Sequence, residues 1–238
     1  MRHRNVRGTI LYTSRKPERF GQRRGIEHFN FTHHHDGKTT LRAYVEIEEP
    51  EPTVLRDVVY SLDEAHRPMD CHVRLTVGDR FMGSGWFRFT PQYIECESYG
   101  PSIGRVSQRM ELTRPIDGFG THPVVADGNL LSHFAWTPGQ TRRLHLRVPS
   151  PDLRGATPPL LAEVNIDARY VGREEIQVHA GRFAARHFQY LDTGGGGFTS
   201  QHPPYELWIT DDADAVLLQG GVEGHMLTWY ELIALERT

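Results

Sequence analysis

Three consecutive histidines in FNFTHHHDGKTT, residues 29–40, are side chains whose type and spacing could support chemistry. His33 and His35 have the H-x-H spacing that places two imidazoles on one side of a strand, as many metal sites require. The chain then continues as DGKTTLRAY, which supplies no third ligand at short range. We therefore expect no bound metal ion and interpret the run as a solvated cluster at a hairpin end. The alternative is that His33 contacts a ligand in a cavity.

A second set of polar side chains lies on three strand-like runs, CHVRLTV, MGSGWFRF and YIECE. Arginine can clamp a carboxylate through two hydrogen bonds, tryptophan offers a stacking face, and histidine or glutamate can accept a proton. These side chains could line a polar interior that holds an anionic or aromatic ligand. The alternative is that they alternate outward into water, as exposed strand faces normally do. The candidates are His72, Arg74, Trp86, Arg88, Tyr93 and Glu95.

The two arginines of this set cannot line one cavity in a regular hairpin. A tight turn at residues 78–79 would pair Cys71 with Trp86, which puts Arg74 and Arg88 on opposite faces of the sheet. We therefore predict a β-bulge at one of the neighbouring glycines, Gly83 or Gly85. In that register the side of the strand that carries Trp86 and Arg88 faces inward beside Tyr93 and Glu95. An inward Arg88 needs a partner, and Glu95 is the nearest candidate in the sequence.

The segment THPVVADGN contains a further acid–base candidate pair, His122 and Asp127. Five residues separate them, so on a helix they would not quite share one face. A Ser-His-Asp triad has no support, because no G-x-S-x-G motif accompanies Ser84 between its two glycines. Any chemistry would then be proton transfer without a cofactor, and the candidate catalytic residues are His72, Glu95, His122 and Asp127.

The composition is that of a soluble globular protein. Of 238 residues, 38% are hydrophobic and 24% charged, which excludes a disordered chain, and the net charge of −3 gives no reason to expect nucleic acid as a partner. The N-terminal cations are interpreted as a solvated arm beside a first strand; they are Arg2, Arg4, Arg7, Arg15, Lys16, Arg19, Arg23 and Arg24. No run approaches 18 apolar residues, and the first 25 hold no signal core, so we expect a cytoplasmic protein without a membrane span. Nothing in the sequence decides between a monomer and a homodimer.

Period-two alternation dominates the first half of the chain and predicts a meander of antiparallel strands about ten residues apart. The predicted strands are 7–14, 25–34, 39–48, 53–62, 70–79, 80–89, 92–98 and 104–112. A two-residue turn at Asp36-Gly37 would pair His33 with Thr40, which leaves both faces of that hairpin mixed in polarity. Cys71 and Cys96 lie in two of these strands without metal-ligand spacing, and we expect reduced core thiols.

The alternation stops after residue 112 and resumes later. Residues 122–136 are predicted to form a short helix, although Gly128 would also suit two separate turns. A link rich in proline and glycine follows at 148–160. Strands are predicted again at 162–178, 182–191, 205–212 and 225–235, with a glycine-rich loop at 192–204. Trp208, bracketed by turns in its strand, is expected to be a core residue.

The segment YVGREEIQVHAGRFAARHFQYL followed by YELWITDDADAVLLQ resembles the C-terminal half of a large family of bacterial domains of unknown function. The matching residues are Gly172, Glu174, Gly181, Phe183 and Trp208 followed by Asp211 or Asp212, within residues 162–235. That family has a curved antiparallel half-barrel similar to the lipoprotein carrier LolA. The resemblance implies a sheet curled around an apolar or amphipathic cavity that a helix often crosses, here 122–136. Its members usually carry an export signal, which this sequence lacks.

These observations predict an all-β fold: one domain over 1–238, with an N-terminal arm at 1–6 and a curved antiparallel sheet or incomplete barrel with one short helix. The expected function is binding of a hydrophobic or amphipathic small molecule in the cavity, and the expected partner is a hydrophobic or aromatic molecule. The alternative is a cofactor-independent isomerase, lyase or hydratase that acts on an aromatic or lipid-like substrate. Arg74, Trp86, Arg88, Tyr93 and His33 are the candidate ligand contacts.

Overall fold

A computed structural model describes residues 3–191, 196–224 and 226–238, and within them fifteen β-strands form a single sheet. The strands of the first half are β1 Arg4–Ser14, β2 Arg23–His33, β3 Thr39–Ile47, β4 Val54–Leu62, β5 Pro68–Val77, β6 Arg80–Phe89, β7 Tyr93–Gly100 and β8 Gly104–Glu111. Those of the second half are β9 Gly118–Phe119, β10 Thr141–Val148, β11 Ala162–Val178, β12 Gly181–Leu191, β13 Tyr205–Thr210, β14 Leu217–Val222 and β15 Thr228–Arg237. Within the described residues, the α-helix α1 covers Val124–Ser132, and a 3-10 turn covers Pro17–Arg19.

The sheet consists of two meanders joined through the chain ends. Its strand order runs from β8 down to β1, then β15 down to β9, so β1 and β15 are neighbours at the centre. Successive strands pair antiparallel, except that β9 pairs parallel to β10. The sheet is curved and unclosed, which confirms the predicted all-β class with one short helix.

The predicted strands all correspond to observed ones, and the structure adds β9, β10 and β14. The helix is shorter than predicted at both ends but continues through Gly128, where a side chain would meet Ile209 of β13. The N-terminal arm was predicted too long, because β1 begins at Arg4 and Val6 is already fully buried. Of the predicted loop 192–204, residues 192–195 lie outside the described part, and residues 196–204 contain neither helix nor strand.

Two elements fill the concave side of the sheet. The helix α1 packs against β13 and β14 and is buried along most of its length. Residues 149–161 connect β10 to β11 and include nearly all of the predicted link 148–160. This link, 149–161, runs along the first meander: Ser98 donates a hydrogen bond to the carbonyl of Pro159 at 2.6 Å. The interior is therefore closed by a helix on one side and by irregular backbone on the other.

The β2–β3 hairpin differs from the predicted register by one residue. His33 pairs with Thr39, not Thr40, because the N–H of His34 donates to the carbonyl of Lys38 and three residues, 35–37, form the turn, in which Gly37 takes a positive φ of 85°. A shift of one residue moves a strand's partners to the other face. The inner face therefore carries the apolar side chains Phe29, Phe31, Leu41, Ala43 and Val45, all buried.

The β5–β6 pair contains a bulge at Met82, one residue from the predicted position at Gly83, and the face opposite to the predicted one turns inward. The register shifts between Leu75 and Thr76, next to Gly83, and Trp86 then pairs with His72. The residues of β6 that face the interior are Gly83, Gly85 and Phe87. Pro159 packs against this face so closely that a Cβ on Gly85 would lie 2.9 Å from it. The prediction that Trp86 and Arg88 face inward is therefore wrong; Trp86 is 42% exposed on the outer face.

Trp208 is on the outer face as well. Its neighbours Leu207 and Ile209 are fully buried, whereas Trp208 is only partly covered and stacks on His187 with 4.1 Å between ring centroids. Its indole Nε1 donates to Glu174 at 2.7 Å. The prediction of a core tryptophan is wrong, because strand alternation sends Trp208 to the side opposite its aliphatic neighbours.

Three further expectations concern the chain as a whole. Cys71 and Cys96 are free and buried, as predicted. Among the described residues, no helix is long and apolar enough to cross a membrane. The cytoplasmic location stays a prediction.

The alternation in β13 gives a paired test of the core. Leu207→Ala should lower the free energy of unfolding by roughly 2–5 kcal/mol, because it leaves a cavity in the core. Trp208→Ala should cost only about 1 kcal/mol, since it removes an outer-face stack. Urea unfolding of both variants measures the difference, and equal losses would contradict the assignment of faces.

Candidate functional site

The main cavity lies between α1 and the second meander. The centre of a water molecule can occupy about 120 Å³ of it, which is space for several waters, since one water takes about 30 Å³ in the liquid. One wall of the cavity consists of aliphatic side chains, and the other carries side chains that end in polar groups. The aliphatic side chains are Val124, Leu130, Leu146, Val148, Leu153, Val164, Ile166 and Val222; the others are His122, Asp127, Tyr190, Phe198, His202, Tyr205, Met226 and Tyr230, with Gly120.

The aliphatic wall follows from strand pairing. In β10 and β11, Leu146 lies opposite Val164, and Leu144 lies opposite Ile166. Directly opposite residues point to the same side, so these pairs present one apolar surface to the interior. All four side chains are buried. The local sequence therefore builds the wall by alternation, as in any half-buried sheet.

A carboxylate from β2 caps the N-terminus of the helix on the other side of the cavity. Glu27 is fully buried and accepts hydrogen bonds from the backbone N–H groups of Val124 at 2.8 Å and Val125 at 3.0 Å. Residue Pro123 precedes the helix and offers no side-chain cap. Two of the N–H groups that a helix start leaves unpaired are thus satisfied by a distant strand, and the carboxylate lies at the positive end of the helix dipole.

The phenol of Tyr12 completes the environment of Glu27. It donates at 2.5 Å to Oε2, the carboxylate oxygen that also accepts from Val124, and its own pKa is raised well above 10 by burial and by Glu27. Burial raises the pKa of Glu27 to about 7, although its three hydrogen bonds oppose that shift. Glu27 is therefore close to half protonated at neutral pH.

Asp127 projects from α1 into the cavity. Burial raises its pKa well above the usual range, and the nearby Glu27 adds to the effect. Within the described residues no hydrogen bond reaches its carboxyl group, whereas its backbone carbonyl accepts one from Tyr190 at 3.2 Å. Burial thus acts in favour of the neutral acid, which can donate a hydrogen bond.

His122 and Tyr205 place unpaired polar atoms at the same cavity. The backbone of His122 has a positive φ of 74°, rare for a residue other than glycine, and its buried Nε2 has no partner among the described residues. Burial, and then Arg56, lower its pKa to about 3, so the imidazole is neutral at pH 7. The buried hydroxyl of Tyr205 also has no partner in the described chain. Buried polar groups usually are paired, and such exceptions need an explanation.

A smaller cavity adjoins the first and is rich in cations. Water centres can occupy about 60 Å³ of it. Its walls include Arg24, Arg56 and Arg154, together with Tyr12, Ile47 and Thr228. The two cavities share His122, Val124, Leu153, Met226 and Tyr230. Together they form a site with an apolar end and a cationic end.

The structure brings together two of the candidate residues, His122 and Asp127, which both line the main cavity. Their catalytic roles stay predictions. The six candidates on β5, β6 and β7 lie on the outer face, so their placement in a cavity is corrected. Arg88 does pair with Glu95, at 3.3 Å, but the arginine side chain is 51% exposed. His72, Arg74 and Trp86 are exposed, and Tyr93 is partly covered by the guanidinium of Arg109.

His33 also lies away from the cavity. Its Nδ1 is 3.1 Å from the Thr39 hydroxyl, and its Nε2 is 3.5 Å from a carboxylate oxygen of Asp214. The rings of His34 and His35 contact that of His3 near the surface. In the part of the chain that is described, no three His, Cys, Asp or Glu side chains form a group that could hold a metal ion.

The polar residues that sequence reasoning missed are Glu27, Arg56 and the cavity tyrosines. Their signal was present: Arg56 stands in the series Val54, Arg56, Val58 and Tyr60, in which every side chain is buried. Arg24 was assigned to a solvated arm, but it is buried and pairs with Glu49 at 3.1 Å. A charged residue at a strand position where the alternation is otherwise apolar therefore indicates an ionic group inside the protein.

No protein-family model and no curated protein matches the chain. Among solved structures, a β-barrel-like protein of the domain of unknown function DUF1849 from Brucella abortus has a TM-score of 0.58 and 9% sequence identity, covering 100% of this chain and 98% of that one. A protein with a YmcC-like fold from Bacteroides fragilis has a TM-score of 0.36 and 9% identity, covering 99% and 96%. The first likeness shows the fold, a β-barrel-like sheet of the kind that the sequence resemblance implied.

The buried carboxyl group predicts a specific pH dependence. The pKa of Glu27 is higher in the folded than in the unfolded chain, so its contribution to stability falls as pH rises from about 4.5 to 7. The slope is about 1.4 kcal/mol per pH unit, or on the order of 3 kcal/mol over this window. His122 acts in the opposite direction, because its folded pKa is depressed. Relative to the native chain, Glu27→Gln should therefore gain stability as pH rises through this window.

Urea unfolding at several pH values from 4.5 to 7.5 measures this difference. Glu97→Gln, which removes an exposed outer-face carboxylate, is the matched control and should leave the profile unchanged. Parallel profiles for Glu27→Gln and the native chain would show that Glu27 titrates normally.

Proposed function

We propose that this protein binds a small molecule with an apolar body in the cavity between α1 and the second meander. The observation that carries the proposal is the lining: an aliphatic wall and a small number of polar side-chain ends border the same cavity. Small-molecule sites typically have this composition, with most of the contact apolar and a few polar groups that fix orientation. A core that served only stability would close such a space, because voids reduce packing energy.

The unpaired polar atoms support a ligand as well. The hydroxyl of Tyr205 and Nε2 of His122 are buried and lack partners in the described residues, and Asp127 adds a carboxyl group to the same cavity. A ligand with one or two hydrogen-bonding atoms would satisfy them. These groups would then orient the bound molecule, while the aliphatic wall supplies most of the affinity.

Proton-transfer catalysis is the second candidate. Its specific support is that His122 and Asp127 line the same cavity. Neither side chain hydrogen-bonds the other in the described chain, and an acid–base pair that works together is normally within about 2.6–3.2 Å. Binding is therefore the function we propose, and a role of these two residues in chemistry would require a substrate between them.

The neutral dye N-phenyl-1-naphthylamine, which fluoresces in apolar surroundings, tests the cavity. We expect saturable binding to the native protein. Val164→Phe should fill the space beside the aliphatic wall and weaken binding at least tenfold, because Val164 is fully buried at the cavity. Val59→Phe makes the same change on the outer face of β4, where Val59 is 38% exposed, and should leave binding intact.

Circular dichroism and thermal unfolding show whether each variant folds. Overpacking costs about 1–3 kcal/mol; if Val164→Phe does not fold, Val222→Ile makes a smaller intrusion into the same space. Dye binding that is absent from the native protein, or equal in the cavity and outer-face variants, would refute a ligand site at this place.

A further inference from the structure

Arg56 occupies a position of β4 at which strand alternation predicts an apolar side chain. It follows Val54 and precedes Val58 on the inner face of β4, and only 2% of its surface is exposed. Its side chain lines the smaller cavity. Taking a guanidinium out of water is unfavourable by several kcal/mol unless it is paired, so its surroundings should contain the compensating group.

The surroundings provide hydrogen bonds but no counter-ion. Through Nη2, Arg56 donates to the carbonyls of Arg154 at 2.9 Å and Gly155 at 2.7 Å. Among the described residues it makes no other hydrogen bond, and no carboxylate lies within ion-pair distance. Two carbonyls satisfy one nitrogen and leave the positive charge and the remaining donors facing the cavity.

The nearest acids are occupied elsewhere. Glu27 accepts from Tyr12 and from the first two N–H groups of α1, and it acts on Arg56 only through space. Asp152 accepts backbone N–H groups within its own turn, from Arg154 at 3.2 Å and Ala156 at 2.7 Å. Neither side chain is therefore directed at Arg56.

The other two arginines of this cavity differ in their partners. Arg24 pairs with Glu49 and donates to Thr228 and to the carbonyl of Met226. Arg154, like Arg56, donates to two carbonyls, those of Pro50 and Pro52, and its buried Nε has no partner in the described residues. His122 adds a neutral imidazole, and the phenols of Tyr12 and Tyr230 complete the wall. Arg56 is the more deeply buried of the two arginines that have no carboxylate partner in the described part of this cavity.

The backbone around Arg56 is built to hold it in place. Gly155 has a positive φ of 60°, and a Cβ there would lie 2.3 Å from Nη2 of Arg56. Only glycine both adopts this conformation readily and leaves space for the guanidinium. The link 149–161 therefore fixes the arginine from one side and leaves its other donors free.

We propose that the smaller cavity binds the carboxylate of an amphipathic anion whose apolar body fills the main cavity. The argument rests on the proposed function, because the apolar body must occupy the site described above. The two spaces share the lining residues His122, Val124 and Met226 and therefore lie side by side, as a molecule that occupies both requires. Arginine suits a carboxylate because its planar fork can donate two hydrogen bonds to the two oxygens.

Displacement of N-phenyl-1-naphthylamine by decanoate and by decan-1-ol tests this inference. Both competitors have the same chain length, and only decanoate is an anion. We expect decanoate to bind the native protein at least tenfold more tightly, since charge-assisted hydrogen bonds are stronger than neutral ones. Arg56→Met should abolish this preference and leave decan-1-ol binding within twofold. Arg88→Met removes an exposed outer-face arginine and should leave the preference unchanged.

The outcomes separate the two proposals. Dye that does not bind the native protein would refute the proposed function itself. Dye and decan-1-ol that bind, with decanoate no tighter, would leave the cavity established and overturn the anionic site. A preference that survives Arg56→Met, or disappears in Arg88→Met, would overturn it too. If Arg56→Met does not fold, Arg56→Gln decides, because it removes the charge and keeps a donor to the same carbonyls.

Two further competitors separate the contribution of the anionic group from that of the apolar chain. Acetate carries the anionic group without the apolar body and should not displace the dye at millimolar concentration. Decyl phosphate offers the same chain with a bulkier dianion, and we expect weaker binding than decanoate because the smaller cavity is narrow. Displacement by acetate, or a preference for decyl phosphate over decanoate, would contradict a carboxylate site.

Discussion

A helix that begins inside a curved sheet has to find partners for its first N–H groups without water. In this protein the carboxylate of Glu27 supplies them, from a strand almost one hundred residues earlier in the chain. The contact joins the first meander, which contains β2, to the helix that lies under the second. Removing it would leave buried donors unpaired at one end of α1, and the position of α1 determines where the main cavity lies.

The two sides of the interior are filled in different ways, and this difference explains the site. Under the second meander, α1 presents a cylinder to a concave sheet, and the two surfaces do not match everywhere. Under the first, the link 149–161 follows the sheet closely enough that Gly85 can carry no side chain. Irregular backbone brings carbonyl groups into the interior, and these carbonyls hold Arg56. The apolar cavity and its cationic neighbour therefore meet where helix and link meet, at His122.

The strands could be predicted from the sequence, because period-two alternation is a local property of each run. The face of the sheet on which each side chain lies could be predicted only where the turn was assigned correctly. One extra residue in the turn at Gly37 shifts the pairing of β2 with β3 by one residue. Arg88 and Glu95 were chosen as site residues because they are complementary, but complementary charges also pair on exposed faces. Internal charges such as Glu27 and Arg56 contradict the alternation locally, and only tertiary partners far along the chain explain them.

The electrostatics of the interior follow from the low polarity of its walls. Burial favours the neutral forms of Asp127 and His122, and it brings Glu27 close to half protonation at neutral pH. Burial also lowers the pKa of Arg56, but only to about 10, so the guanidinium stays charged. Desolvation thus favours the neutral forms of the groups that can lose their charge, whereas the guanidinium of Arg56 keeps its charge. In such surroundings a positive charge acts over a longer range than in water, and the space beside Arg56 is favourable for an anion.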